Sequence, residues 1–405
     1  MTPHATRTQI LAVIASALGY FVDLYDIVIF GVVRVASLAD LGLTGDDSTR
    51  WGIILLNLQM LGMLVGGVLW GVIADRLGRR FALLATITLY SLANLANAFV
   101  TSVEQYAWLR LLAGIGLAGE LGAGVTLVAE LLPKHRRGYG TTVIAFLGLL
   151  GALTASFSGD QLPWRWAYAL GGGLGLLVLA LRWRVLEESS MFEEQQARGG
   201  GQAQLLLTRP RLLLRYLAVI AVGVPIWYAS ALFVNFAPEY GRALQLPAPL
   251  TVSEVLRWQS VGLALGSAMS GIISEWLHSR RRVIAASLAA MAVLTLMLLL
   301  GDGHSVHSYC VIMGLMGLAQ GYWTVFLACG AEQFGTNVRA TVATSVPNFV
   351  RAATVPVTLA LGALMPTLGI VPATLAIGAV VFALASVALI GLRETYGIDL
   401  DYAEN

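Results

Sequence analysis

The chain has 405 residues, of which 57% are hydrophobic and 12% are charged, and its net charge is +2 at pH 7. Average proteins carry about 25% charged residues, so the composition excludes a soluble globular domain, and the small net charge gives no indication of nucleic-acid binding. The 44 glycines fit a membrane bundle, in which small residues let helices approach closely. The two cysteines, Cys310 and Cys329, predict neither a disulfide framework nor a metal site, and we expect no cofactor.

Long apolar runs follow one another along nearly the whole chain, and the first is too long for a signal peptide. A transmembrane helix needs roughly 20 mostly apolar residues. By this criterion the sequence predicts twelve spans, at about 10–36, 51–74, 80–100, 105–132, 139–160, 165–185, 212–238, 251–277, 282–301, 306–333, 340–365 and 369–392. A long polar stretch separates the sixth from the seventh. We therefore predict an all-α membrane protein with an N-terminal six-helix bundle over 1–185, a cytoplasmic linker over 186–211 and a C-terminal six-helix bundle over 212–405.

Arginine is concentrated in the short connections between spans. With the N-terminus inside, the inner loops and ends hold 18 of the 25 basic residues, Arg182 and Arg184 among them, and the outer side holds four. Cytoplasmic loops of membrane proteins carry an excess of Lys and Arg. This asymmetry predicts a multi-pass protein of the plasma (inner) membrane with both termini in the cytoplasm.

A charged hairpin occurs twice, once in each half. The first copy reads Gly-Val-Ile-Ala-Asp-Arg-Leu-Gly-Arg-Arg over 71–80, and the second reads Gly-Ile-Ile-Ser-Glu-Trp-Leu-His-Ser-Arg over 271–280. In a further match, Glu130 and Glu332 each lie seven residues before an arginine, at an offset of 202. These matches predict duplicated halves, of the kind that enclose a substrate site near the bilayer midplane and alternate by rocking.

The repeated hairpins and the loops that follow spans 4 and 10 are predicted to form a cytoplasmic gate. Glu130 and Glu332 lie at predicted helix C-termini, where the helix dipole disfavours an anion, so each needs a basic partner. The predicted gate residues are Asp75, Arg76, Arg79, Arg80, Glu130, Arg137, Glu275, Glu332 and Arg339.

Several charged residues fall inside predicted spans, where charge is costly and normally marks an ion or substrate pathway. They are Asp23, Asp26, Arg34, Arg110, Glu120 and Arg351. At about 1.5 Å per residue, Asp26 in span 1 and Arg110 in span 4 lie at similar depth. A carboxylate beside a permanently charged arginine can alternate between an ion pair and a neutral acid. We therefore predict proton coupling by Asp23, Asp26, Glu120 and Arg110; the alternative is a permanent ion pair that locks span 1 to span 4.

Arg351 lies about 17 Å into span 11, close to the bilayer midplane. Spans 7–9, 11 and 12 contain no acidic residue at that depth. Because a guanidinium binds a carboxylate through two parallel hydrogen bonds, we predict that Arg351 anchors an anionic substrate; the alternative is pairing with Asp23, Asp26 or Glu120. Arg34 is a weaker candidate, since it could instead extend its charge to the outer surface. The further predicted substrate-binding residues are Asn348, Gln59, Trp227, Tyr228, Gln320, Tyr322 and Trp323.

The charged hairpins resemble the loop signature of the major facilitator superfamily, found between helices 2 and 3 and, in weaker form, between helices 8 and 9. Span 1 reads Gly-Tyr-Phe-Val-Asp-Leu-Tyr-Asp-Ile over 19–27, and span 4 reads Arg-Leu-Leu-Ala-Gly-Ile-Gly-Leu-Ala-Gly-Glu over 110–120, followed by Glu-Leu-Leu-Pro over 130–133. These stretches are similar to the metabolite:proton symporters, the aromatic-acid:proton symporters and the synaptic-vesicle-protein-like branch. Leu24 and Ala118 depart from the pattern, which has Trp and Gly there.

The resemblance implies a major facilitator fold and a secondary transporter, usually proton-coupled, for small carboxylates, betaines or related metabolites. In the related sugar porters, residues matching Asp26 and Arg110 form the proton-coupling pair. We expect a monomer whose partners are protons, a small anionic substrate and the lipid bilayer, without nucleic-acid binding. The alternatives are proton-driven efflux of amphipathic compounds and a non-transporting membrane sensor. No paired nucleophile and base are present in the sequence, so no enzymatic activity is expected.

Overall fold

The computed structural model describes residues 3–120, 137–185, 206, 208–397 and 404. The chain divides into an N-terminal unit, Met1–Gly200, and a C-terminal unit, Gly201–Asn405. In the described residues every regular element is a helix. The helices of the N-terminal unit are α1 (Pro3–Asp40), α2 (Gly45–Leu77), α3 (Arg79–Asn97), α4 (Val103–Leu117), α5 (Arg137–Gln161) and α6 (Trp164–Val185).

The C-terminal unit repeats this series with several interruptions. Its helices are α7 (Pro210–Ala229), α8 (Ala237–Ala243), α9 (Val252–Trp276), α10 (Arg280–Leu300), α11 (Val306–Gln320), α12 (Trp323–Glu332), α13 (Thr336–Ala352), α14 (Thr354–Leu368) and α15 (Ile370–Gly391). A π-helical turn, Ser230–Val234, extends α7. Each predicted span coincides with a helix or a consecutive pair of helices, span 4 being described only as far as Glu120. Seven of the described helical segments are long and apolar enough to cross a membrane by length and composition.

The two units share one scheme of helix packing. In the N-terminal unit, α1 packs against α5 and α6, α2 against α4, and α3 against α4 and α6. In the C-terminal unit, α7 packs against α13 and α15, α9 against α11, and α10 against α11 and α15. Each unit is therefore a six-helix bundle of the same design, which is the duplication that the repeated hairpins predict.

Glycines at an offset of 200 build the same close helix contact in both units. A Cβ added to Gly62 or Gly66 of α2 would lie 2.3 Å from a backbone carbonyl oxygen of α4. A Cβ on Gly262 or Gly266 of α9 would lie 1.9 or 2.0 Å from a carbonyl oxygen of α11. Small residues four apart let two helix backbones meet at this distance. The spacing of the two hairpins therefore extends through the helices that precede them.

Polar caps and turns with positive φ separate the helices. The side chains of Ser102, Thr251 and Ser279 each accept a hydrogen bond from a backbone N–H in the first turn of the following helix. Gly78, between α2 and α3, has φ of 95°, a conformation that glycine adopts without strain. Its counterpart His278 also has a positive φ, 48°. Both hairpins thus have a residue with positive φ at the same position of the repeat, although the sequence of the second has diverged.

Matching tyrosines tie the first and last helices of each bundle together. Tyr25 in α1 donates to the carbonyl oxygen of Ala167 in α6 at 2.8 Å. Tyr228 in α7 donates to the carbonyl oxygen of Thr374 in α15 at 3.0 Å. Both tyrosines are fully buried, and a buried hydroxyl is normally hydrogen-bonded. These bonds fix α1 and α7, the helices that carry many of the predicted site residues.

Candidate functional site

The N-terminal unit buries a set of charged side chains inside its bundle. They are Asp23, Asp26, Arg34, Arg110, Glu120 and Arg182, none more than 2% exposed. We counted Arg182 with the basic residues of the inner loops and ends, but its side chain is buried inside the bundle. Its position at the end of span 6, next to Arg184, is typical of a membrane-flanking arginine. Only the direction of its side chain, which turns into the bundle, distinguishes it from Arg184.

Arg182 and Glu120 form a buried ion pair. Nη1 of Arg182 lies 2.8 Å from Oε1 of Glu120, and the two side chains are 0% and 1% exposed. Nε of Arg182 donates to the carbonyl oxygen of Ala15 at 3.2 Å, and the hydroxyl of Thr86 donates to Glu120 at 3.3 Å. Gly19 leaves space for the guanidinium, since a Cβ there would lie 1.7 Å from Nη2. The pair therefore connects α1, α3, α6 and the middle of span 4.

Asp26 and Arg110 lie within electrostatic range of each other, with Asp23 and the amide of Asn94 also next to Asp26. Arg110 donates to the side-chain oxygen of Gln59, and its guanidinium lies 4.9 Å from the ring centroid of Phe30. Within the described residues, Nε and Nη1 of Arg110 and both carboxyl oxygens of Asp26 make no hydrogen bond. An acid and an arginine are thus close together without being locked in a direct pair.

Arg34 is held inside the bundle and does not reach the surface. Its side chain is 1% exposed, and a Cβ on Gly52 would lie 2.8 Å from its Cδ. The alternative in which Arg34 extends to the outer surface is therefore wrong. Its predicted contact with substrate stays a prediction.

An arginine of α13 is buried in the C-terminal unit. Arg351 is 3% exposed, and its guanidinium carbon lies 5.7 Å from the ring centroid of Trp227 in α7. Nε and Nη1 make no hydrogen bond to any described residue. Asn348, one turn earlier on the same helix, is 7% exposed. The site therefore presents a cation beside an aromatic ring, with donors available for an anion.

The other candidates in the C-terminal unit take part in contacts between helices. Gln320 donates to the carbonyl oxygen of Ile226 at 2.9 Å and accepts from Gln259 at 2.8 Å. The hydroxyl of Tyr322 donates to the carbonyl oxygen of Val222 at 2.8 Å. Trp323 is half-buried. These contacts join α11, α9 and α7, and a role of Gln320, Tyr228, Tyr322 or Trp323 in substrate binding stays a prediction.

The turn between α9 and α10 carries several predicted gate residues, and their role in a gate stays a prediction. Arg280 reaches Glu332 with both Nε and Nη2, at 2.6 and 2.8 Å, so the expected basic partner of Glu332 is present. The hydroxyl of Tyr396 donates to Glu275 at 3.1 Å. Nε of Arg339 donates to the carbonyl oxygen of Phe334 at 3.0 Å.

In the first hairpin, Nη2 of Arg80 donates to the carbonyl oxygen of Trp183 at 3.3 Å. Glu130 and the side chains of Asp75, Arg76, Arg79 and Arg137 lie outside the described residues.

Glu394, after the last helix, is a site residue that the sequence did not indicate. Its carboxylate accepts from the backbone N–H groups of Arg280 and Arg281, at 3.0 and 3.3 Å, and from the hydroxyl of Ser279. Burial raises the pKa of Glu394, but the bonds from Ser279 and the backbone outweigh that effect and leave the pKa below its usual range. The carboxylate therefore caps the N-terminus of α10, where the helix dipole favours an anion.

Residues 16–352 match the family model of the Major Facilitator Superfamily. The chain belongs to this superfamily. It is 25% identical over 404 residues to a probable 4-methylmuconolactone transporter of Cupriavidus pinatubonensis, with 95% of this chain and 90% of that protein covered. It is 24% identical over 337 residues to a gentisate transporter of Corynebacterium glutamicum, with coverage of 79% and 73%.

The fold agrees with a solved structure of the superfamily. The crystal structure of a D-xylose-proton symporter has a TM-score of 0.72 to this chain, covering 96% of this chain and 99% of that one at 17% identity. The predicted major facilitator fold, with twelve transmembrane helices in two pseudo-symmetric bundles, is confirmed. This member of the superfamily is thus a multi-pass integral membrane protein of a transporter family, not an enzyme.

Proposed function

We propose that the protein is a secondary active transporter that carries a small organic anion together with a proton by alternating access. The observation on which this rests most is Arg351, a buried arginine whose Nε and Nη1 make no hydrogen bond to any described residue. An unpaired buried cation is costly, and a bound carboxylate offsets that cost through two charge-assisted hydrogen bonds. Gentisate, the substrate in the name of one relative, is an aromatic carboxylate.

The proton site of the proposal is the N-terminal cluster. Asp26 is fully buried, lies within range of Arg110 and makes no hydrogen bond within the described part of the chain. Burial favours the neutral acid and the arginine favours the carboxylate. Opposed effects of this kind make protonation sensitive to a change of conformation or hydration. Asp26 with Arg110 is therefore the proposed coupling pair, and Asp23 and Glu120 are the further acids of the path.

The gate and the orientation complete the proposal. We place both termini on the cytoplasmic side of the inner membrane, with a linker over 186–211 between the bundles. We place the gate at the cytoplasmic ends of the helices. The Arg280–Glu332 pair, 19% and 15% exposed, supports this placement in the C-terminal unit. We expect such contacts to hold the cytoplasmic side closed in one state and to open in the other.

Uptake into proteoliposomes tests the function. The purified protein is reconstituted and offered radiolabelled gentisate and a panel of related ring carboxylates, with the outside more acidic than the inside. We expect accumulation above the outside concentration, and its loss with a protonophore. Proton-driven efflux would instead exchange amphipathic compounds for protons, so that these compounds leave the vesicle side that protons enter. A non-transporting sensor would give no flux.

Substitution of Asp26 tests the coupling site. Asp26→Asn should abolish uphill accumulation and retain exchange of labelled for unlabelled acid, because the variant cannot release a proton. Asp40→Asn is the matched control in the same helix, since Asp40 is half exposed and pairs with Arg165 at 3.0 Å. Uphill uptake by Asp26→Asn at the rate of wild type would remove Asp26 from the coupling site.

A further inference from the structure

Tyr90 in α3 is fully buried, and its hydroxyl makes no hydrogen bond within the described residues. Other fully buried tyrosines of this chain differ, since Tyr25, Tyr228, Tyr309 and Tyr322 each donate to a backbone carbonyl at 2.8–3.0 Å. A buried hydroxyl without a partner is destabilising, because it has lost its hydrogen bonds to water without replacing them. Packing alone therefore does not explain a tyrosine at this position.

The surroundings of this hydroxyl are charged. Tyr90 interacts electrostatically with Glu120, Arg182, Asp26 and Asp23. Along α3, Thr86 lies one turn before Tyr90 and donates to Glu120 at 3.3 Å, and Asn94 lies one turn after it and adjoins Asp26. Because residues four apart share a helix face, Tyr90 lies between the Glu120–Arg182 pair and the Asp26–Arg110 site.

Neighbouring glycines fix the position of Tyr90. A Cβ on Gly116 would lie 2.8 Å from the Cβ of Tyr90, and a Cβ on Gly175 would lie 3.6 Å from its ring. The residue is therefore held between α4 and α6, with little room for the ring to leave.

The two acid–arginine sites lie at different depths along α1. Gly19, which adjoins the Glu120–Arg182 pair, precedes Asp26 by seven residues, or about 10 Å along the helix at 1.5 Å per residue. A proton that leaves Asp26 toward the N-terminal end of α1 needs a group that both accepts and donates. A phenol hydroxyl does both.

We propose that Tyr90 relays the coupling proton between Asp26 and Glu120. This inference rests on the proposed proton-coupled transport. In the step, the O–H bond of the protonated Asp26 carboxyl breaks as its proton passes to Oη of Tyr90. The original hydroxyl proton of Tyr90 passes to the Glu120 carboxylate, where a new O–H bond forms. Tyr90 ends as a neutral phenol, Asp26 as a carboxylate and Glu120 as an acid, so charge and atoms balance.

The relay also accounts for the Glu120–Arg182 pair. Protonation of Glu120 removes the negative charge that holds Arg182 at 2.8 Å, and hydrogen bonds to charged groups are the stronger ones. Arrival of the proton therefore weakens the contact that joins α6 to the middle of span 4. Arg182 is a positioning residue in this scheme, and Tyr90 is the group that moves the proton.

Tyr90→Phe tests the relay, because it removes only the hydroxyl. Reconstituted full-length protein is assayed with radiolabelled gentisate, or with the panel acid that wild type accumulates, and a pH dye inside the vesicles reports proton entry. We expect exchange at equal pH to stay within about twofold of wild type. Uptake driven by the proton gradient and substrate-induced proton entry should both fall at least tenfold. The melting temperature should not fall, since the hydroxyl has no bond to lose.

Tyr309→Phe is the matched control, because it deletes a fully buried hydroxyl that donates to Phe233 at 2.9 Å in the other unit. This control should melt lower and keep the wild-type ratio of driven uptake to exchange. Driven uptake by Tyr90→Phe at the wild-type rate would overturn the relay, as would an equal loss of exchange and driven uptake. If the wild-type protein accumulates the substrate without proton entry, the proposed coupling itself is refuted, and the relay with it.

Discussion

Gly19 is the position at which a single methyl group tests the buried ion pair most directly. A Cβ there would lie 1.7 Å from Nη2 and 2.5 Å from Cζ of Arg182, and 3.0 Å from Oε2 of Glu120. Ordinary van der Waals contact begins at 3.4 Å, so in Gly19→Ala the guanidinium must retreat by about 1.7 Å. The pair is 2.8 Å long and fully buried. We expect a retreat of this size to break it.

The cost follows from what remains behind. Removal of one partner from a buried ion pair costs about 3–5 kcal/mol, because the other charge stays buried without compensation. Arg182 is displaced and not deleted, so we take the lower end, about 3 kcal/mol. For a unit of this size, 1 kcal/mol corresponds to about 2–4 °C in melting temperature. Gly19→Ala should therefore melt about 6–12 °C below its control.

The control is Gly173→Ala in α6, where an added Cβ meets nothing within 4 Å. It carries the same gain in helix propensity, up to about 1 kcal/mol. The assay is thermal unfolding of purified protein in detergent, followed by tryptophan fluorescence. The same comparison is made in the Arg182→Met background, because the shorter uncharged side chain of methionine leaves room for the alanine.

The two substitutions should not be additive. Residues in direct contact show coupling, whereas independent sites add within about 0.5 kcal/mol. We expect Gly19→Ala to lower the melting temperature in the wild-type background and to change it little in Arg182→Met. An equal drop in both backgrounds would show that the alanine acts elsewhere than on Arg182. A melting temperature equal to that of Gly173→Ala would refute the predicted loss of the pair.

Two further predictions concern the C-terminal unit. Arg351→Ala should bind gentisate, or the panel acid that wild type accumulates, about 10- to 100-fold more weakly, because hydrogen bonds to charged groups contribute about 1.5–3 kcal/mol each. Arg351→Lys should have an affinity between those of wild type and Arg351→Ala, since it keeps the charge and loses the planar fork. Calorimetry measures both, and wild-type affinity in the alanine variant would remove Arg351 from the site. Glu394 has a lowered pKa, so its stabilisation is present above the usual pKa of glutamate, about 4.3, and is lost as pH falls through the lower folded value. Glu394→Gln should lower the free energy of unfolding at pH 7 by about 1 kcal/mol, the usual contribution of a helix cap, and so lower the melting temperature. The difference from wild type should disappear in acid, and a constant difference across pH would contradict this.

Some of the fold could be read from local patterns. Apolar runs long enough to span a bilayer identified the helices, because a lipid-exposed backbone must satisfy its own hydrogen bonds and a helix does so within one segment. The repeated hairpin indicated two related halves, and the shared helix pairing bears this out. The offset of 200 also holds for Gly62 and Gly66 against Gly262 and Gly266. This last match was visible in the sequence, but its meaning depends on which helix each glycine faces.

The residues of the candidate site also differ in whether the sequence alone reveals them. Asp23, Asp26, Arg110, Glu120 and Arg351 are recognisable from sequence because a charge inside an apolar run is rare and costly. Arg182 was missed, since at the end of a span the same residue type either extends to the surface or turns inward. Tyr90 gave no signal at all, because a tyrosine in an apolar run is ordinary. Its position among the charges is set by α3, α4 and α6 packing together.

The sequence by itself determined the class of protein, the number and order of the helices, their duplication and the charges that the membrane must accommodate. Each of these depends on local composition and spacing, which the bilayer converts directly into helices. The tertiary structure alone decided the partners. Glu120 meets Arg182 because Gly19 leaves a gap of one side chain between them and α1. Pairing depends on which faces of distant helices meet, and residues 62 positions apart in the chain carry no local record of that contact.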